Sequence, residues 1–217
     1  MADTDNEATS TGVPASRRRG AALEAAIADA AWDELAEVGY AEVTMLGIAK
    51  RAGTSKAVLY RRWRNLPELY LDVLTSKRVD IDIPDTGNLR DDLVELLDWL
   101  RRRIAGMPAD FIAGMITATH RRPDLAEKFR DFIRQSQVVT AMDAIVNRAV
   151  ARGEIKPGAL TAPMRSMPFD LLRHDLLIYG TVAPDRVPVI VEEIFVPMLR
   201  GRDALSYRAL MLSSHCS

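Results

Sequence analysis

The chain has 217 residues, 48% of them hydrophobic, which is enough for one large or two small globular domains with a sizeable core. A net charge of −1 excludes a strongly basic or acidic protein, and no stretch reaches the roughly 18 consecutive apolar residues of a membrane span. The single cysteine, Cys216, excludes a disulfide framework and a cysteine metal cluster. Cysteine usage this low fits a reducing cytoplasm. Aromatic residues make up only 6%, β-branched runs are scarce, and Ala, Leu, Arg and Glu recur at helical spacing, so we expect an all-α protein.

The first 19 residues predict a disordered tail. They lack the apolar segment of a signal peptide, and they end in the basic run Arg17–Arg19, which is interpreted as an arm toward a DNA minor groove. We expect residues 20–80 to form one domain, residues 81–201 a second, and residues 202–217 a C-terminal tail.

Three helices are predicted in the first domain. Apolar residues at helical spacing between Leu23 and Val38 predict a first helix that ends at Gly39. Thr44 is expected to cap a short second helix that stops at Gly53, and Ser55 to cap a third. This arrangement is typical of a helix-turn-helix, in which the two short helices cross at a steep angle.

A fourth, linking helix is expected after Asn65, where Pro67 and Glu68 resemble a capping box. Residues 81–87, which include Pro84 and Gly87, are interpreted as a linker that marks the domain boundary.

The charge is concentrated near the helix-turn-helix, since residues 44–64 contain six basic side chains and no acidic one. Lys56, Ala57, Tyr60 and Arg61 fall on one face of the third helix, where a small residue permits close approach to base edges. A solvated basic face is the plain alternative, but its combination with the caps and the glycine turn favours DNA binding. The spacing of Trp63 from Leu59 indicates a core residue rather than a stacking platform.

These residues resemble the TetR family of bacterial regulators, specifically in Ile48-Ala-Lys-Arg-Ala-Gly53 and Leu59-Tyr-Arg-Arg-Trp63, and further along in Arg122-Pro-Asp-Leu-Ala126 and Arg148-Ala-Val-Ala-Arg-Gly-Glu154. The resemblance implies that Thr44 and Tyr60 contact phosphates and that Ser55, Lys56 and Ala57 open the recognition helix. The sequence departs from the family at Leu66, where the family usually has a lysine that contacts a phosphate. Arg64 is the candidate to make that contact instead. The complete set of predicted DNA-binding residues is Thr44, Thr54, Ser55, Lys56, Ala57, Tyr60, Arg61, Arg62 and Arg64.

Five helices are predicted in the second domain. They comprise one from Leu89 to Ile104, a short one from Phe111 to Thr119, a long one from Pro123 to Gly153, and two last ones, Ala162–Tyr179 and Asp185–Leu199, the first of them shortened or kinked at Pro168.

Methionine and aromatic side chains in this half are candidates for a ligand pocket, although each is also a plausible core residue. They are Met107, Phe111, Met115, Phe132, Met142, Met167 and Phe169.

The resemblance implies a homodimer paired through the last two helices, a palindromic double-stranded DNA operator and an unidentified small-molecule effector that releases the repressor. The alternatives are a DNA-binding regulator without an effector and a helical enzyme. The sequence has no catalytic motif, and its three histidines lack metal-site spacing, so we expect no enzyme, no metal and no cofactor.

Overall fold

The computed structural model describes residues 15–76 and 81–201, with the side chains of residues 15–19 outside the description. Within these ranges the regular secondary structure is entirely helical, which confirms the predicted fold class. None of these helices combines the length and the apolar character that crossing a bilayer requires. The expected C-terminal tail with Cys216, and residues 1–14 of the expected N-terminal tail, lie outside the described residues.

The first four helices match the predicted ones, namely α1 (Ala15–Val38), α2 (Met45–Arg51), α3 (Lys56–Arg62) and α4 (Leu66–Ser76). Gly39 ends α1 with a φ of +73°, a conformation that a residue without a Cβ adopts at little cost. The start of α1 differs from the prediction. The helix begins at Ala15, so the backbone of Arg17–Arg19 is helical and does not belong to a tail, because alanine and arginine favour the helix and no breaker separates them from it.

The second half contains α5 (Leu89–Ala105), α6 (Ala109–Arg121), α7 (Pro123–Arg134), α8 (Gln137–Ala151) and α9 (Ala162–Tyr179). The single long helix predicted from Pro123 to Gly153 was therefore wrong. The chain turns at Gln135, and Ser136 caps α8 by accepting a hydrogen bond from the Val139 N–H at 3.4 Å. The apolar residues Ile133 and Val138 lie five positions apart across this break, a change of spacing that the prediction of a single helix overlooked.

The last helix, α10, spans residues 186–201. It begins as an α-helix over Arg186–Pro188, continues as a π-helix over Val189–Phe195 and ends α-helical over 196–201. Helix α9 continues through Pro168 without ending there, and Gly180 closes it in the left-handed conformation. The ion pair of Asp175 with Arg186, at 2.7 Å, ties α9 to the start of α10.

The buried apolar side chains form two clusters that do not divide at the linker. The first core cluster joins α1 to α4, but it also contains Phe111 and Met115 of α6 and Leu125 of α7, each at most 3% exposed. The second core cluster joins α5, α8, α9 and α10. Helices α6 and α7 therefore share the core of the helix-turn-helix half, although they follow the linker in sequence.

A buried carboxylate fixes the linker against α8. Asp92 is fully buried and accepts hydrogen bonds from the backbone N–H and the hydroxyl of Thr86, at 2.6 and 2.8 Å. Arg152 lies 3.5 Å from the same carboxylate, and Arg148 donates to the carbonyl of Pro84. Arg148 and Arg152, both in the stretch Arg148–Glu154 that resembles the family, thus hold the linker in place.

Candidate DNA interface and ligand cavity

Capped helix starts define the helix-turn-helix. The Thr44 hydroxyl accepts a hydrogen bond from the Gly47 N–H at 2.9 Å, and the Ser55 hydroxyl accepts one from the Val58 N–H at 3.3 Å. These bonds satisfy N–H groups that a helix start leaves without a partner. Both predicted caps are confirmed.

Between the two helices, the turn is held by its backbone. Gly53 adopts a φ of +64°, and the Thr54 N–H donates to the Ala49 carbonyl at 2.9 Å. Leu59 and Trp63 are 0% and 5% exposed, and the Trp63 indole donates to Asp72 of α4 at 2.9 Å. Trp63 is therefore a buried anchor, as its spacing predicted.

A glycine in α2 permits the close approach of α1. A Cβ at Gly47 would lie 1.9 Å from Glu34 Oε1, and Glu34 forms an ion pair with Arg51 at 3.1 Å. Sequence reasoning did not single out this position, although a glycine inside a helix is itself a signal of close packing.

Helix α3 presents the predicted face to solvent. Lys56, Ala57 and Arg61 are exposed, and Tyr60 is 46% exposed. The Lys56 Nζ lies 5.3 Å from the centre of the Tyr60 ring, a cation–π distance. Leu46 of α2 is also 46% exposed and was not predicted.

Arg62 faces away from that surface. It forms ion pairs with Glu24 of α1 and Asp72 of α4, the latter at 3.3 Å. Its guanidinium also lies 4.9 Å from the centre of the Trp63 ring. The structure thus uses Arg62 to tie α3 to α1 and α4, although the basic run suggested a DNA contact.

At the start of α4, Arg64 is exposed, whereas Leu66 packs against the first core cluster. The Arg64 N–H donates to Glu68 at 3.0 Å, and the Glu68 N–H donates to Asn65 at 3.0 Å. The bond to Asn65 is the half of the capping box that the spacing predicted, whereas Glu68 reaches back to the N–H one residue before the cap.

Helix α6 lies directly against the helix-turn-helix half through Tyr40. The Tyr40 N–H donates to Asp110 at 2.8 Å, and its ring lies 5.5 Å from the Phe111 ring and 6.0 Å from the Tyr70 ring. A Cβ at Gly114 would lie 2.0 Å from Tyr40 Cε1. Burial, together with the negative charge of Asp110, raises the pKa of Tyr40.

A second link between the halves is the ion pair of Lys128, in α7, with Glu68, in α4, at 3.1 Å. Partial burial opposes ionisation of Glu68, but the Arg64 N–H and the Lys128 ammonium outweigh it and lower the pKa of this carboxyl. Glu68 therefore joins the α3–α4 corner to α7.

A cavity of about 1310 Å³ lies between α4 and helices α5 to α9. Its wall includes Arg62, Trp63 and Asp72 from the helix-turn-helix half. Five of the predicted ligand residues line it, namely Met107, Phe111, Met115, Phe132 and Phe169. The other two lie elsewhere, since Met142 is fully buried in the second core cluster and Met167 packs against that cluster.

Comparison with known proteins agrees with this architecture. Residues 27–73 match the family model of bacterial regulatory proteins of the tetR family, and residues 83–194 match the tetracyclin repressor-like C-terminal domain. An HTH-type transcriptional regulator of Mycobacterium tuberculosis is 32% identical over 176 residues, which is 76% of this chain and 82% of the relative.

Two further proteins are similar over most of their length. The DNA-binding transcriptional repressor TetR of Mycobacteroides abscessus is 27% identical over 84% of this chain and 96% of its own. The crystal structure of the regulator FadR from Bacillus subtilis, in complex with stearoyl-CoA, has the same fold, with a TM-score of 0.55 and 19% identity over 82% of this chain and 98% of that chain. With both family models matched in order along an all-helical structure, the chain belongs to the TetR family of DNA-binding transcriptional regulators.

Proposed function

We propose that the protein is a homodimeric repressor that binds a palindromic operator through α3 and leaves it when a small molecule occupies the cavity. The observation that carries the proposal is the composition of the cavity wall, which joins residues of α3 and α4 to residues of α5–α9. A molecule bound there touches both halves of the chain. In this role the protein acts in the cytoplasm and catalyses no reaction.

The exposed face of α3 supports the DNA contact. Lys56 and Ala57 lie at the start of the helix and point toward solvent, where they are placed to meet base edges in a major groove. Thr44, Ser55 and Tyr60 flank them with hydroxyl groups suited to phosphate, and Thr54, Arg61 and Arg64 lie beside them in the chain. In a dimer, two such faces about 34–36 Å apart would occupy successive major grooves.

Release follows if the occupant prefers one arrangement of the two halves. A ligand shifts a conformational equilibrium only by its difference in affinity for the two states. The wall residues Trp63 and Asp72 hold the end of α3 against α4 through a hydrogen bond, so displacement of α4 moves α3. The relative from Mycobacteroides abscessus carries the name of a repressor, and FadR was crystallised with stearoyl-CoA. Both agree with repression relieved by a ligand.

Operator binding is tested with the DNA upstream of the gene itself and with unrelated DNA, by fluorescence anisotropy at several salt concentrations. Tyr60→Phe removes a hydroxyl and should weaken binding to both DNAs alike, whereas Lys56→Ala should change the preference between them. Thr117→Val is the control, since it removes an exposed hydroxyl from α6, which belongs neither to the helix-turn-helix nor to the helices proposed to pair. Failure of the wild-type chain to bind upstream DNA even at low salt would refute the proposed function.

Pairing of two chains through α9 and α10 is tested by sedimentation. Ile178, at the end of α9, is 63% exposed, which is unusual for a large apolar side chain unless a partner covers it. Ile178→Asp should convert dimers to monomers, while the same change at exposed Ile83 in the linker should not. Val191, although in α10, is 0% exposed in the second core cluster, so Val191→Asp would unfold the chain and does not report on pairing. If Ile178→Asp still sedimented as a dimer as stable as the wild type, the interface would not include Ile178.

A further inference from the structure

Most of the charged side chains on the cavity wall already have an ion-pair partner. The wall carries four basic side chains and three carboxylates. Two of the carboxylates are neutralised within the wall, since Glu68 pairs with Lys128 at 3.1 Å and Asp72 pairs with Arg62 at 3.3 Å. A ligand gains little from these four groups, because each already has its counter-charge.

Two further wall charges are neutralised from outside the wall. Asp131 forms an ion pair with Arg134 one turn along α7, and Arg173 forms one with Asp170 one turn back along α9. Every carboxylate of the wall therefore already has a basic partner. A cationic ligand would find none of them free.

Arg103 is the exception. It lies on the last turn of α5, and its guanidinium is 5.9 Å from the centre of the Trp99 ring, which also belongs to the wall. No carboxylate of residues 15–76 or 81–201 lies within ion-pairing distance of it. An aromatic face holds the guanidinium by cation–π attraction while its N–H groups stay free for a planar anion, which an arginine binds with two parallel hydrogen bonds.

The rest of the wall is mainly aliphatic and aromatic, and the volume of about 1310 Å³ exceeds the roughly 300–1,000 Å³ of common ligand pockets. We propose that this cavity takes an amphipathic monoanion, a large apolar molecule ending in one carboxylate-like group that pairs with Arg103 beside Trp99. This inference rests on the proposed function in taking the cavity as the effector site.

The test compares three probes that share a twelve-carbon chain, dodecanoate, dodecanol and dodecylamine, titrated into the full-length protein at neutral pH by isothermal calorimetry. We expect dodecanoate to bind about tenfold more tightly than dodecanol, from one charge-assisted hydrogen-bonded pair, and dodecylamine to bind most weakly. Equal or tighter binding of dodecanol or dodecylamine, or no binding of any probe, would overturn the proposal.

Substitutions locate the anion site. Arg103→Gln should abolish the preference for dodecanoate and leave the affinity for dodecanol unchanged, and Arg103→Glu should reverse the preference toward dodecylamine. Arg102→Gln is the matched control, because Arg102 is the neighbouring exposed arginine, pairs with Asp98 and does not line the cavity. An equal loss in Arg102→Gln would show a general charge effect and refute the assignment.

These outcomes are separate from those of the proposed function. Operator binding is measured without any alkyl probe, so a chain that ranks the probes as expected but ignores DNA would refute only the repressor role. A chain that binds DNA but prefers the amine would refute only the anion site.

Discussion

The contact between Gly114 and Tyr40 makes a quantitative prediction for Gly114→Ala. The added methyl would lie 2.0, 2.3 and 3.0 Å from three carbons of the Tyr40 ring. The ring cannot easily move aside, because Phe111 and Tyr70 pack against it. Overpacking of this kind costs about 1–3 kcal/mol, and we take the upper end.

Helix propensity acts in the opposite direction, since alanine is favoured over glycine inside a helix by about 1 kcal/mol. The net loss is therefore about 2 kcal/mol. For a protein of this length, that loss lowers the melting temperature by roughly 4–8 °C. The measurement is thermal unfolding followed by circular dichroism, with urea unfolding as a second estimate.

Gly106→Ala is the control. Gly106 follows α5 with a φ of −87°, and a Cβ there would meet no atom within 4 Å. It should change stability by less than about 0.5 kcal/mol. In a Tyr40→Ala background, Gly114→Ala should no longer destabilise, because the ring that it strikes is gone. Equal melting temperatures for the two alanine variants in the wild-type background would refute the close approach of α6 to Tyr40.

Three further predictions concern charges. Arg61→Gln should reduce the slope of log affinity for operator against log salt by about two, one phosphate contact for each subunit of the dimer, whereas Arg62→Gln should leave the slope unchanged because Arg62 is held by Glu24 and Asp72. Equal slopes for the two variants would place both arginines on phosphates. Asp92→Asn should lower the free energy of unfolding in urea by about 1–3 kcal/mol, since Asp92 is fully buried and charge-paired, and an unchanged midpoint would contradict its role. Because the pKa of Glu68 is lowered in the fold, its contribution to stability is present above the unfolded value of about 4.3 and is lost as pH falls through the folded value. Between pH 5 and 3 the wild type should therefore lose more stability than Glu68→Gln, and parallel curves would exclude this.

Features set by neighbouring residues were predictable from the sequence. The side chains of the caps Thr44 and Ser55 accept a hydrogen bond from the N–H three residues ahead, and Gly53 makes the turn through its own positive φ. The amphipathic face of α3 follows from helical geometry alone, so Lys56 and Tyr60 were placed without knowledge of the rest of the fold.

Features set by distant partners were not predictable. Arg62 belongs to a basic run, and its pairing with Glu24, 38 residues earlier, and with Asp72, ten residues later, could not be read from that run. Phe111 and Met115 were identified as ligand candidates and do line the cavity, but their burial in the first core cluster depends on how α6 packs. The break at Gln135 carries no glycine or proline, and its one local sign, the cap residue Ser136, was not recognised.

The placement of α6 and α7 in the first core cluster has a consequence for engineering chimeric regulators. A fragment cut at the linker would leave behind Phe111, Met115 and Leu125, and the apolar surface that they cover on α1 and α4 would meet water. A hybrid that joins this DNA-reading unit to the sensor of another protein must therefore carry α6 and α7 with it. The unit that can be transplanted is discontinuous in the chain.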